Sequence, residues 1–189
     1  MSDIYRQATK VLVWLGPVLS DVVAKAFNMC REIYERNGMY TVPPSNSPIW
    51  VPVIALLECS WFRRLWVVQE VVLARSATVF WGDQDIPWVL LTEAICNVMR
   101  EEVSASSTLP FAVRKSGGCA FRLALFWEGF SHGRGEIRSI FSFLAITRGF
   151  DCRDDRDQIY GLLGLITHTT DTPSIEPDYT RKSHQVYED

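Results

Sequence analysis

The sequence has no apolar run near the roughly 18–20 residues that span a bilayer, which argues against a membrane-crossing helix. Its opening residues, Met1, Ser2, Asp3, Ile4 and Tyr5, lack the charged-then-apolar layout of a secretory leader. Cysteine is sparse and scattered: Cys30, Cys59, Cys96, Cys119 and Cys152 form no CxxC pair and lie mostly in apolar stretches, the pattern of reduced core residues rather than a disulfide framework. The three histidines, His132, His168 and His184, have neither HExxH nor Cys/His spacing, so no metal site is expected. A net charge of −3 gives no electrostatic footprint for nucleic acid. Glycine-containing segments lack P-loop or dinucleotide spacing, no Ser-His-Asp or Cys-His arrangement is identifiable, and there is no internal repeat. The expected compartment is the cytoplasm.

What is present is a chain of 189 residues with 48% apolar and 22% charged residues, sufficient for one well-buried core. Seven tryptophans make that core rich in large flat side chains whose N–H groups need partners. Residues 11–15 (VLVWL), stopped by Gly16 and Pro17, read as a strand buried on both faces, with neighbours on each side. Ser20 and Asp21 can cap a helix that carries Val22, Val23, Ala26, Phe27, Cys30, Ile33 and Tyr34 at 3.6 spacing and stops near Asn37 and Gly38. A second helix is expected over 50–59 and a third from Ser60. Residues 79–86 read as a hairpin around Gly82 and Asp83. Helices then follow at about 88–102, 118–130 and 136–148, separated by polar breaks at 116–118 and 131–135. A short helix over 158–165 follows the acidic stretch 151–157, and a last element follows Thr180 as N-cap.

The densest segment is WFRRLWVVQE, residues 61–70. Wound as one helix, it places Trp61, Phe62, Leu65, Trp66, Gln69, Val72 and Leu73 on a single broad face. Gln69 then falls inside the core and must find buried partners, at a cost of roughly 1–3 kcal/mol if it does not. Glu70 lies at the edge of that face, one turn after Trp66, and Arg64 points away from it. A carboxylate beside an indole at such an edge is either a solvated or ion-paired surface group, or a partly desolvated one readied for a ligand. For Asp154, Asp155 and Asp157 the alternatives are capping the following helix or holding a cation, and capping is the commoner use of such residues.

Five stretches in order, YRQATKVLVWLG (5–16), WFRRLWVVQEVVLA (61–74), VFWG (79–82), DDRDQIYGLLGL (154–165) and PDYTRKSHQVY (177–187), resemble the fungal heterokaryon-incompatibility (HET) domain. The family pattern has proline where this chain has Asp155. The resemblance places the family signature on Trp61, Arg64, Trp66, Gln69 and Glu70, with Arg156 and Asp157 in the later motif. It implies an α/β, helix-rich chain: a partial, three-layer fold like that of Toll/interleukin-1-receptor (TIR) domains, with a small sheet and additional C-terminal helices. Residues 1–86 would form the TIR-like part and 87–189 the helical part.

It also implies cytoplasmic signalling in non-self recognition and programmed cell death, through self-association or other signalling proteins, without catalysis. Two alternatives come with it. One is an NAD glycohydrolase, with Glu70 as catalytic carboxylate and NAD as substrate rather than resident cofactor, by analogy with the Trp–Glu pair of NAD-cleaving TIR domains. The other is an inactive truncated relic. The family usually carries a strand-and-loop section ahead of the equivalent of Met1, so the strand at 11–15 is expected to leave an uncovered apolar edge.

Overall fold

The computed structural model describes residues 2–36, 40–100, 109–131, 140–165 and 175–187, and among these described residues the regular structure is three short strands, nine α-helices and two 3-10 turns. In chain order these are α1 (Ser2–Gln7), β1 (Val11–Trp14), α2 (Ser20–Glu35), α3 (Trp50–Leu57), a 3-10 turn (Ser60–Arg63), α4 (Val67–Val72), β2 (Ala77–Trp81) and β3 (Gln84–Pro87). They continue with α5 (Trp88–Arg100), α6 (Phe111–Ser131), α7 (Ile140–Thr147), α8 (Asp157–Tyr160), a second 3-10 turn (Leu163–Leu165) and α9 (Ser183–Tyr187). The mixed α/β, helix-rich class expected from the sequence is the one observed. The helix stop at Asn37 and Gly38, most of the break at 131–135, the helix start at 136, His132 and His168 lie outside the described residues. No helix among the described residues is long and apolar enough to cross a membrane.

The sheet order is β1-β2-β3. β1 runs parallel to β2, with Val13 opposite Val79, and the helical crossover between them is what a parallel pair requires. β2 and β3 form the expected hairpin, Trp81 opposite Gln84, so that Gly82 and Asp83 are the whole loop. Gly82 takes a positive φ of 59°, which glycine adopts without a Cβ penalty.

β1 departs from its expected burial on both faces. It is an edge strand: Val13 is 2% exposed, whereas Leu12 is 65% and Trp14 57% exposed. The amides of Val11 and Leu15 donate to the carbonyls of Ser76 and Phe80, both at 2.9 Å, on the β2 side. Strand alternation therefore turns the N–H and C=O groups of Leu12 and Trp14 to the other edge, where no described strand pairs with them. The apolar run at 11–15 is thus half core and half open edge, and the uncovered apolar edge expected there is present.

The inward face of the sheet carries Val13, Val79, Trp81 and Ile86 into one core with α2 and α5. Phe27 of α2 meets Trp81 with ring centroids 6.2 Å apart. The start of α2 differs from expectation, since its N-cap is Leu19 and no side chain caps it. Ser20 instead donates to Asp83 at 2.9 Å, tying α2 to the hairpin loop. That core continues past position 87 through Trp88, Leu91 and Ile95 of α5 and Val113, Ala120 and Leu123 of α6.

The break expected at 116–118 is absent, because α6 runs unbroken through both glycines. Gly117 faces α5 so closely that a Cβ there would come 2.9 Å from the Met99 sulfur, so its smallness serves helix packing. A Cβ on Gly118 would meet nothing within 4 Å. Glycine in a helix interior costs about 0.5–1 kcal/mol relative to alanine. Gly118→Ala should therefore raise the urea midpoint by an amount equivalent to roughly that energy, and a lowered midpoint would show that α6 bends or closes at this position.

Candidate functional site

The segment expected to be one helix over 61–70 is broken in its middle. The Ser60–Arg63 turn drives Trp61 and Phe62 into the core, where Trp61 meets Phe62 and Trp88 edge-to-face at 5.3 and 5.8 Å. Arg64 is extended, with φ −72° and ψ 130°, and α4 starts only at Val67. The break is fixed by a distant residue. Leu65 N–H donates to the Asp151 carbonyl at 2.9 Å and Asp151 N–H donates to the Arg63 carbonyl, a strand-like bridge inside a helical region.

Of the expected core set, Trp61, Phe62, Leu65, Gln69 and Val72 are buried, whereas Trp66 and Leu73 are half-buried and Val67, Val68 and Val71, outside that set, are buried as well. Gln69, 2% exposed, donates from Nε2 to the Gly161 carbonyl at 2.7 Å, as a buried amide must. Its Oε1, like the indole nitrogen of Trp88, has no partner among the described residues.

Trp66 and Gln69 face the later motif. The Trp66 indole donates to Asp157 Oδ2 at 3.2 Å, and the Tyr179 hydroxyl donates to Asp157 Oδ1 at 2.7 Å. Partial burial, followed by that bond to Asp157, pushes the Tyr179 hydroxyl up to about 12. Arg156 grips the Asp154 carboxylate through Nε at 2.9 Å and Nη2 at 2.6 Å. Its Nη1 donates to the carbonyls of Tyr179 and Arg181, and its guanidinium lies 5.2 Å from the Tyr179 ring centre.

Hydrogen bonds from the guanidinium, then from the Arg156 amide, hold the Asp154 carboxyl down to about 2. Capping is met only in part: Asp154 accepts the Arg156 amide at 3.0 Å, but no side chain caps α8, and Asp157 is a buried acceptor rather than a cap. Gly161 completes the joint. A Cβ there would stand 2.7 Å from the Asp157 carbonyl oxygen and 3.3 Å from Leu65.

Glu70 belongs to a second group. It is half-buried on α4, and its amide donates to the Trp66 carbonyl at 3.3 Å, so the one-turn relation to Trp66 holds. Burial raises its carboxyl above the ordinary range, opposed by the charge of Arg64 and by a hydrogen bond from Trp61. No direct Arg64–Glu70 pair was expected, and Arg64 acts on the carboxylate only through its charge. The two form no ion pair within 4 Å. Tyr5 of α1 stands at the same place: burial raises its hydroxyl, Glu70 raises it further, and Arg64 lowers it.

The signature residues therefore fall into two sets, Trp66, Gln69, Arg156 and Asp157 in a bonded joint, and Trp61, Arg64 and Glu70, the last two within electrostatic reach of Tyr5. Tyr5, Tyr179 and Gly161 were not singled out from the sequence, although each lies inside one of its quoted motifs. Among the described residues no group of three His, Cys, Asp or Glu could hold a metal ion.

The sign at Glu70 yields a pH test. A carboxyl whose folded-state titration lies above the unfolded one favours folding most when protonated, so stability falls as pH rises from the unfolded value through the folded one. Glu70→Gln, which cannot ionise, should raise the thermal midpoint at pH 7 and leave it nearly unchanged at pH 3.5. A midpoint lowered at pH 7 would mean that ionised Glu70 is a net stabilising partner of Arg64.

No curated protein and no solved structure is significantly similar to the chain. Residues 1–70 match the family described as heterokaryon incompatibility protein (HET). The match runs from α1 through the broken segment and ends on Glu70, while the Asp157 side of the joint lies beyond it. Those 70 residues are less than half of the chain, so the likeness is one of its N-terminal part to the heterokaryon-incompatibility family.

Proposed function

We propose that the chain is a HET-type interaction module in fungal non-self recognition and programmed cell death, acting in the cytoplasm by self-association and without catalysis of its own. The observation that carries the non-catalytic reading is how the signature residues spend their polar groups. The Trp66 indole, the Gln69 amide nitrogen, the Arg156 guanidinium and the Asp157 carboxylate are all bonded within the chain. Groups committed in this way hold a fold together rather than await a substrate.

Self-association is supported by the open edge of β1. Around a two-fold axis at Val13, a second β1 pairs antiparallel, with Leu12 of one copy opposite Trp14 of the other. Both outward-facing residues then exchange N–H···O=C bonds with their counterparts, and the two exposed apolar side chains meet on one face. Lys10 would face Gly16 of the other copy, so no like charges meet.

Sedimentation velocity over a rising concentration series should show a dimer for the wild type and a monomer for Trp14→Lys. A wild-type protein that stays monomeric throughout would contradict self-association.

A second reading, NAD glycohydrolase, is favoured by the half-buried Glu70 with its raised titration beside Tyr5 and Trp61. Departure of nicotinamide leaves an oxocarbenium-like ribose, which a carboxylate held in a poorly solvated site can stabilise. Under this reading, nicotinamide is released by the wild type and not by Glu70→Ala. Equal release by both proteins, or none by either, would exclude it.

A further inference from the structure

On α6, Lys115, Gly118, Cys119 and Arg122 share one face, because positions i, i+3, i+4 and i+7 align along a helix. That face stands across from the end of α3 and from Arg63 at the end of the Ser60–Arg63 turn, and between them lies a cleft of about 470 Å³. This is within the roughly 300–1,000 Å³ of ligand pockets. The cleft is lopsided in charge, with Arg63, Lys115 and Arg122 set against the carboxylate of Glu58.

Existing bonds leave most of the cationic donors unspent. Arg122 gives Nη1 to the Arg148 carbonyl at 3.0 Å. Arg63 reaches Asp151 only through Nε, at 3.6 Å and with both side chains largely exposed. Lys115 makes no ion pair or hydrogen bond among the described residues. Glu58 is partly occupied, its Oε1 accepting the Ser116 hydroxyl at 3.1 Å. The open space over Gly118 leaves the α6 wall clear between Lys115 and Arg122. Burial raises the titration of the Cys119 thiol, Arg122 lowers it, Asp151 raises it and Arg63 lowers it, so both guanidinium groups, and the carboxylate facing Arg63, lie within electrostatic reach of one sulfur.

We propose that this cleft binds a phosphate-bearing small molecule of nucleotide size. Guanidinium forks match phosphate oxygens, and Lys115 adds a third charge from the same helix. The mutual repulsion of the three cations is relieved when a multiply charged anion enters. The cleft is far larger than a bare phosphate, which leaves room for the organic part of a phosphoester beside Leu57 and Cys119. Glu70 does not line it, so the proposal stands apart from both functional readings given above.

The test is calorimetric titration of the full chain with ATP and, separately, with inorganic pyrophosphate, at low and high salt and without divalent cation. Saturable ATP binding, tighter than that of pyrophosphate and weakened by salt, is expected. Lys115→Gln and Arg122→Gln should each weaken it on the order of tenfold, the scale of one charge-assisted hydrogen bond. Glu58→Gln should strengthen it, and Arg75→Gln, outside the cleft, should leave it unchanged. Lys115 holds nothing else in place, so its variant keeps the fold and isolates the charge. Absence of ATP binding, equal affinity for pyrophosphate, or affinity indifferent to Lys115→Gln would overturn the proposal.

Discussion

Asp157 is 8% exposed, and each of its carboxylate oxygens accepts one hydrogen bond, from the Trp66 indole and from the Tyr179 hydroxyl. A carboxylate removed from water to that extent is tolerated only when its oxygens are satisfied. Bonds to a charged acceptor contribute roughly 1.5–3 kcal/mol each, and loss of a donor leaves the charge unpaired. The joint acts beside other ties of the same segment, since Leu162 and Leu165 enter the main core and Arg6 donates to the Gly164 carbonyl at 2.6 Å. The apolar cluster of that segment contains Ile159, Tyr160 and Val186, far fewer side chains than the main core. Asp157, with the neighbouring Gln69 to Gly161 bond, fastens this small cluster to α4 and hence to the body of the protein.

Seen from α4, the segment at 61–70 divides by physical role. Trp61 is packing; Trp66 and Gln69 are joinery, bonding the Asp157 carboxylate and the carbonyl of Gly161, where an added Cβ would stand 2.7 Å from the Asp157 carbonyl oxygen. Glu70 is half-buried, its carboxyl taking a hydrogen bond from Trp61 and feeling the charge of Arg64.

Local pattern was legible in the sequence. Apolar spacing located α2 and α3, the Gly82 and Asp83 loop marked the hairpin, and the burial of Gln69 followed from its place among core residues. Features decided by distant partners were not legible. The extended Arg64 depends on a bridge to Asp151, and nothing near Arg64 announces it. The role of Asp157 was hidden for the same reason, its indole partner lying 91 residues away, whereas an acidic residue before a short helix ordinarily suggests a cap. Gly117 looked like a helix breaker because the proximity of Met99, which favours a residue without a side chain, is a tertiary fact. The short apolar run at 11–15 fitted a buried strand equally well, and only the sheet order shows it to be an edge.

The most direct measurement is a double-mutant cycle on Trp66 and Asp157, with Trp66→Phe, Asp157→Ala and the double variant compared by urea denaturation. Phenylalanine keeps much of the packing and removes the donor, and alanine removes the acceptor. A joint that holds the two halves together predicts a coupling energy of about 1–2 kcal/mol. Additivity to within about 0.3 kcal/mol would mean that Trp66 and Asp157 stabilise the protein independently, and that the signature does not lock the fold in this way.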